Sequence, residues 1–310
     1  MSRILSENGS LMLSQSIMKG LGFDIFDGQL QEFEVCPRLF KYYYVDDNQM
    51  RASEPMNWGV YFESQCIGGG RGGKAMQSWE MPRLQSGDKS LVHKRIDAHI
   101  REFKPNCEKL GLEFSEYNTQ MPLIAKYSNK VFITGVCDIF PCNVTDNMAI
   151  VDLKYTKNVN SSYIDFDKKY SFSSAWGNYQ FLSKIQAITY RWMAKNLELR
   201  LLHYYWDASG YSREQGFIMT NDFIELLKDI PVDFYWYVVG SSKWSTIDEQ
   251  FSWIKFQGEV FEDSVFDSLV QSSVRKFVEM RQNDFPEKYI GYVCNGCPLK
   301  LECKTYLEKQ

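Results

Sequence analysis

Val131-Phe-Ile-Thr-Gly-Val-Cys-Asp-Ile-Phe140 and Met148-Ala-Ile-Val-Asp-Leu-Lys-Tyr155 decide the fold. Both runs are rich in β-branched and aromatic residues. Pro141, Asn143, Asp146 and Asn147 lie between them, so the pair predicts a β-hairpin. Residues two apart on a strand point to the same face, so Asp152 and Lys154 project together. If the two strands pair, Asp138 joins them. Asp152 and Lys154 interrupt an apolar run, where a charge is costly unless it has a partner. Gly135 stands three residues before Asp138 and predicts a bend or a close backbone approach. Two carboxylates and a lysine at one spot suit a hard cation such as Mg²⁺ or Mn²⁺ and phosphodiester chemistry. A surface hairpin with ordinary charges is the plain alternative.

The flanking chain reads mainly as helix. Residues 175–197 predict a helix on which Gln186 and Tyr190, four apart, share a face. Trp58-Gly-Val-Tyr-Phe-Glu63 opens a helix over 57–67. Its Glu63 stands among aromatics, either with a buried partner such as a metal or facing solvent. Residues 28–45 predict a helix through Leu30, Phe33, Cys36, Phe40 and Tyr44, bent or started at Pro37. Residues 89–111 and 262–282 are helical by the same criterion. Leu199–Trp206 reads as a strand, and Phe234–Gly240 with Phe251–Gln257 as a strand pair. A mixed sheet flanked by helices is the simplest assembly, hence an α/β fold.

The chain has 310 residues, 44% hydrophobic and 15% aromatic, so it can bury a sizeable core as one large domain. The expected division is an N-terminal extension over 1–27 and one domain over 28–310 with a cysteine-bearing tail over 287–310. The formal net charge is −4, which excludes a global basic field, so contact with nucleic acid must come from a local basic patch. No apolar run approaches a membrane span and the start does not read as a signal peptide. A cytoplasmic setting is expected.

In that compartment cysteines read as thiols or metal ligands rather than disulfides. Cys294-x2-Cys297-x5-Cys303 has ligand spacing but is one short of a closed tetrahedral shell. Cys36, in Phe33-Glu-Val-Cys-Pro-Arg-Leu-Phe40, is the expected fourth, joining the N- and C-terminal segments. Cys66, Cys107, Cys137 and Cys142 lack ligand spacing.

Cys36-Pro37, Glu63, Gly135-x-x-Asp138, Asp152-x-Lys154, Gln186-x-x-x-Tyr190 and the tail cysteines occur in that order. The ordered set, over roughly residues 28–303, resembles the iron–sulfur branch of the RecB-like PD-(D/E)xK nucleases. That branch includes the AddB nuclease domain and the CRISPR-associated RecB-like exonucleases. The resemblance implies a restriction-endonuclease-like core. Glu63, Asp138, Asp152 and the Leu153 carbonyl would hold Mg²⁺ or Mn²⁺. Lys154 would be the catalytic lysine, and Gln186 and Tyr190 would support the site and touch DNA. Cys36, Cys294, Cys297 and Cys303 would hold a structural 4Fe-4S cluster, with zinc the other occupant. Relatives usually carry histidine where Glu63 stands, four residues after Gly59; a carboxylate can replace imidazole as a ligand to Mg²⁺ or Mn²⁺, and the metal preference stays open. The implied activity is a DNA nuclease, an exonuclease on ends or single strands in recombination, replication or repair. A helicase or recombination protein would be its partner, and a phage or mobile element its setting. The alternative is an inactive DNA-binding or adaptor subunit of the same fold.

Gly68-Gly-Gly-Arg-Gly-Gly73-Lys74-Ala75 nearly spells a phosphate-binding loop, but Ala75 stands where Ser or Thr would meet the metal. A loop touching phosphate through Arg71 and Lys74 is the expectation. Lys154, Lys157, Lys168 and Lys169 predict a local positive track. His93, His99 and His203 show no ligand spacing.

Overall fold

In the computed structural model of the protein, the described residues are 4–6, 9–26, 29–48, 54–67, 89–156, 159, 184–211, 219–242, 246–256 and 262–308. The two diagnostic stretches form the antiparallel strands β6 (Val131–Val144) and β7 (Asn147–Thr156). β6 runs on through Pro141 and Asn143, with a bulge between Ile139 and Cys142. The turn is confined to Thr145 and Asp146, with Thr145 at φ 54°.

β7 pairs in parallel with β8 (Val232–Gly240), and β8 pairs antiparallel with β9 (Phe251–Lys255). On the far side of β6 lie β4 (Leu112–Glu113) and β5 (Thr119–Ser128), both antiparallel to it. β1 (Leu11–Leu13) is parallel to β6. The result is a seven-stranded mixed sheet.

Ile133 is flanked by β5 and β1, whereas Ile139 is flanked by β5 and β7. β1 and β7 therefore share one edge of β6. Between them β6 presents Gly135 to Asp138 with no strand partner on that edge among the described residues.

Both faces are covered because both are apolar. On β8, Phe234, Trp236 and Val238 alternate with Tyr235, Tyr237 and Val239, and all are buried. The second set packs against α3 (Glu54–Ile67) and α4 (Lys89–Lys109) through Trp58, Phe62, Ile96 and Phe103. The first packs against α1 (Gln15–Gly20), α5 (Lys184–Lys195), α7 (Asn221–Asp229) and α8 (Glu262–Gln282). Fully burying one such side chain stabilises by roughly 1.5–3 kcal/mol, so the two-sided alternation decides the layered fold.

Several expectations are corrected. Residues 28–45 are not one helix. β3 (Gln29–Glu32) forms a hairpin with β2 (Phe23–Phe26), and helix starts only at Pro37. Cys36 precedes a proline, which disfavours helical geometry, and proline itself suits the first helical position. α2 (Pro37–Phe40) then passes into a π-helical turn over Lys41–Val45.

Leu199–Trp206 is not a strand but the start of α6 (Leu199–Ser209), closed by Gly210 at φ 72°. Leu202 and Trp206, four apart, bury on the same face. β1, α1 and β2 supply Leu13, Met18 and Phe23 to the core. Gly68–Gly73, Arg71, Lys74, Lys157, Lys168, Lys169 and residues 175–183 lie outside the described residues. Among the described residues no helix is long and apolar enough to cross a membrane.

Candidate functional site

The gap between β1 and β7 on the edge of β6 is where the sequence-selected residues meet. Beyond the Ile139–Val151 pair the two strands part. The Leu153 N–H donates to Asp138 Oδ2 at 2.7 Å rather than to a backbone carbonyl. A carboxylate is thereby built into the sheet edge. Asp152 and Lys154, on the α5 side of β7, form an ion pair. From that helix layer the Gln186 amide donates to Asp152 Oδ1. From the other layer Glu63, on α3, accepts from the Gln120 amide, which also reaches Asp138 Oδ1 at 3.3 Å. Three carboxylates from three elements thus surround one lysine.

Tyr190 stands beside this cluster. Its hydroxyl donates to the Val136 carbonyl at 2.8 Å, and its ring stacks on Phe234. Gly135 is required by this contact. A Cβ there would lie 2.3 Å from Tyr190 Cε1. The close approach predicted at Gly135 is therefore to a helix.

Asp152 is 3% exposed, while Glu63, Asp138 and Lys154 are half-buried. Burial pushes the Asp138 carboxyl well up, and Asp152 and Glu63 push it further. Burial also raises Glu63 to about 7, against Lys154. Asp152 is raised by burial, opposed by Lys154 and Gln186. For Lys154 burial favours the neutral amine, but Asp152, Asp138 and Glu63 outweigh it and hold the ammonium. The cluster carries more negative than positive charge when ionised, which is the electrostatic condition for a cation site.

A divalent cation fits the donors present. Asp152 Oδ2 is buried and ion-paired with Lys154, yet accepts no hydrogen bond. The donors are hard oxygens of the kind Mg²⁺ and Mn²⁺ take. Among the described residues no group of three His, Cys, Asp or Glu side chains is placed to hold a metal ion. Gln120 bridges Glu63 and Asp138, and Lys154 pairs with Asp152.

Sequence reasoning missed Gln120. It lies on β5 between Thr119 and Met121, which pair with Ile139 and Cys137, so the register places it across from Asp138. Its φ of 50° is the local mark of an unusual position, and no residue pattern announces it.

The four selected cysteines also come together. Cys36 caps α2, Cys294 lies in α9 (Gly291–Asn295), Cys297 follows in a turn, and Cys303 precedes α10 (Lys304–Leu307). All four line one small cavity with Leu39, Val293 and Leu299. Burial raises the Cys297 thiol, the Leu299 N–H opposes it, and Cys36, Cys294 and Cys303 add to the rise. Backbone N–H groups of Ile290 and Leu299 donate to Cys294 Sγ and Cys297 Sγ at 3.2 and 3.4 Å. Arg38, Lys288 and Lys300 border the cavity and would offset thiolate charge. These features fit a tetrahedral thiolate-bound group.

The other cysteines are buried or half-buried thiols. Burial pushes Cys66, Cys107, Cys137 and Cys142 up, the state of unreactive thiols. His99 is buried with Nε2 2.9 Å from the Gly240 carbonyl, a structural role. His93 pairs with Asp97 on its own helix at 3.4 Å. No protein-family model matches the chain, and no curated protein matches it significantly.

Proposed function

We propose that this chain is a divalent-metal-dependent deoxyribonuclease built on a PD-(D/E)xK core. The observation that supports it is the meeting of Glu63, Asp138, Asp152 and Lys154 where β6 and β7 part. Glu63, Asp138, Asp152 and the Leu153 carbonyl would hold Mg²⁺ or Mn²⁺. When bound, that cation supplies charge neutralisation at the phosphate and a more acidic water. Lys154 stays charged at neutral pH and places its ammonium where charge builds on a phosphate oxygen or where a water must be oriented. Gln186 holds Asp152 in one orientation, and Tyr190 fixes the helix that carries Gln186. Gln120 keeps Glu63 and Asp138 facing one another.

The substrate is DNA, attacked from ends or as single strands, in recombination, replication or repair. A helicase or recombination protein is the fitting partner. Cys36, Cys294, Cys297 and Cys303 would hold a 4Fe-4S cluster that ties the N- and C-terminal segments together, with zinc as the other occupant. Purified protein with Mn²⁺ or Mg²⁺ should degrade labelled DNA, open-ended before end-blocked. Asp152→Ala and Lys154→Ala should each lose at least about a hundredfold in rate. DNA binding by the wild type without metal-dependent cleavage would instead identify an adaptor subunit.

A further inference from the structure

The ligand set proposed above joins Cys36 to three cysteines of the tail. A network of side chains ties the same two segments together beside the cavity. Arg38, two residues after Cys36, lines that cavity. Its guanidinium pairs through Nη1 with Glu287 Oε1. The same Nη1 donates to the Glu302 carbonyl at 3.4 Å, and Nη2 lies 4.0 Å from the Glu302 carboxylate. The other oxygen of Glu287, Oε2, accepts from the Thr305 N–H at 3.1 Å, from the Thr305 hydroxyl at 3.4 Å and from the Cys303 thiol at 3.5 Å.

Cys303 is thus held on both sides. Glu302, the residue before it, is bonded to Arg38. Thr305, two residues after it, is held by Glu287, which Arg38 holds in turn. The placement of Cys303 relative to Cys36 is therefore referred to one guanidinium–carboxylate pair. Both members are partly withdrawn from solvent, with side chains 32% and 20% exposed. Arginine suits this task because its donors are fixed in a planar fork that can meet two acceptors at once.

Glu287 is chemically conspicuous in this place. A cysteine that ligates a metal does so as the thiolate. Arg38, Lys288 and Lys300 would offset that negative charge, but a carboxylate beside Cys303 Sγ opposes it. Charge does not account for Glu287, whereas orientation does. Hydrogen bonds made behind the ligating atoms fix how a ligand faces its metal.

We propose that Arg38 and Glu287 are positioning residues of the four-cysteine site, setting Cys36 and Cys303 towards one another before the metal group binds. This rests on the reading of those cysteines as ligands.

The test uses the full chain, reduced and freed of metal by chelator without oxygen. It is titrated with Co²⁺, whose thiolate charge-transfer absorbance reports ligation, and the cobalt is then competed off with Zn²⁺. The wild type is measured first; without thiolate-to-cobalt absorbance, the ligand reading falls and this proposal with it. Given that absorbance, Arg38→Met and Glu287→Met should each weaken Zn²⁺ binding by roughly ten- to a hundredfold. The double variant should lose no more than the larger single loss, because the two residues act as one unit. Glu287→Gln, which keeps an acceptor for Thr305, should lose less. A role through charge alone gives opposite signs, with Arg38→Met weakening and Glu287→Met tightening the metal. Tightening by Glu287→Met, or unchanged affinity in both single variants, would overturn the proposal while leaving the cysteine site in place. Lys276→Met breaks a comparable ion pair, with Glu32, that does not line the cavity. It should lower the urea midpoint and leave Zn²⁺ affinity unchanged; an equal loss of affinity there would also overturn the proposal. If Arg38→Met does not fold, Arg38→Lys keeps the charge without the fork and should show a smaller loss in the same comparison.

Discussion

Leu153 and Asp138 are joined by a hydrogen bond that a regular ladder would have given to the backbone: the Leu153 N–H donates to the Asp138 carboxylate at 2.7 Å. One carboxylate therefore has two tasks, closing the sheet edge and facing Glu63 and Asp152. The two tasks separate on substitution. Asp138→Asn keeps an acceptor for Leu153 and removes one like charge, so urea unfolding without metal should show unchanged or higher stability. Asp138→Ala leaves the N–H without its acceptor and should cost about 1–3 kcal/mol. Both should abolish cleavage.

Glu63 gives the metal-free protein a signed pH dependence. Its carboxyl titrates at about 7 when folded, against 4.5 for the free group. Between those values the unfolded chain has released a proton that the folded chain retains, so stability is full below about 4.5 and falls as pH rises towards 7. The loss is on the order of 1–3 kcal/mol. Thermal unfolding in chelator should show this decline, and Glu63→Gln should reduce it, leaving the part that the raised carboxyls of Asp138 and Asp152 contribute. Saturating Mn²⁺ should reverse it, because the cation favours the ionised carboxylates.

Gly135→Ala tests the contact that seats α5. The added methyl would collide with the Tyr190 ring and come within 3.1 Å of Met193 Cε. Overpacking of this kind costs about 1–3 kcal/mol. Displacing α5 also moves Gln186 away from Asp152, so cleavage should fall more than the stability loss explains. A urea midpoint and an initial rate on the same sample separate the two effects.

The cluster proposed at the cysteine cavity predicts that stability depends on its presence. Protein prepared without oxygen should be brown with cluster-like visible absorbance. A colourless sample with one zinc per chain would replace the cluster by zinc. Cys36→Ala, or removal of the proposed cluster, should cost on the order of 4–5 kcal/mol, because Cys36 is the ligand that closes the long loop to Cys294. Limited proteolysis should then cut first near Glu287, which in the intact tail accepts from the Thr305 N–H at 3.1 Å and pairs with Arg38.

Legibility in the sequence follows the range of the interaction that decides each feature. β6, β7, β8, β9, α3, α4 and α8 were readable because burying alternate or helical positions is a local requirement on residue order. Asp152 and Lys154 were readable for the same reason: two charges inside an apolar strand stand out without any knowledge of their partners. Leu199–Trp206 was misread because a short run of Leu, His and Tyr satisfies both periods. Packing of Leu202 and Trp206 on one face settled it as helix. Residues 28–36 were misread because their pairing with β2 lies outside their own pattern.

What the sequence by itself determined is the set of chemically unusual residues and their order: Glu63, Asp138, Asp152 with Lys154, Gln186 with Tyr190, and the cysteines at both ends. What only the tertiary structure decided is how they meet. The parting of β6 from β7, the Gln120 amide between two carboxylates and the Gly135–Tyr190 contact all depend on register and helix placement between residues far apart in the chain. Spacing along a strand or helix is set by backbone geometry within a few residues. Convergence across layers is set by packing of the whole core, which no short stretch encodes.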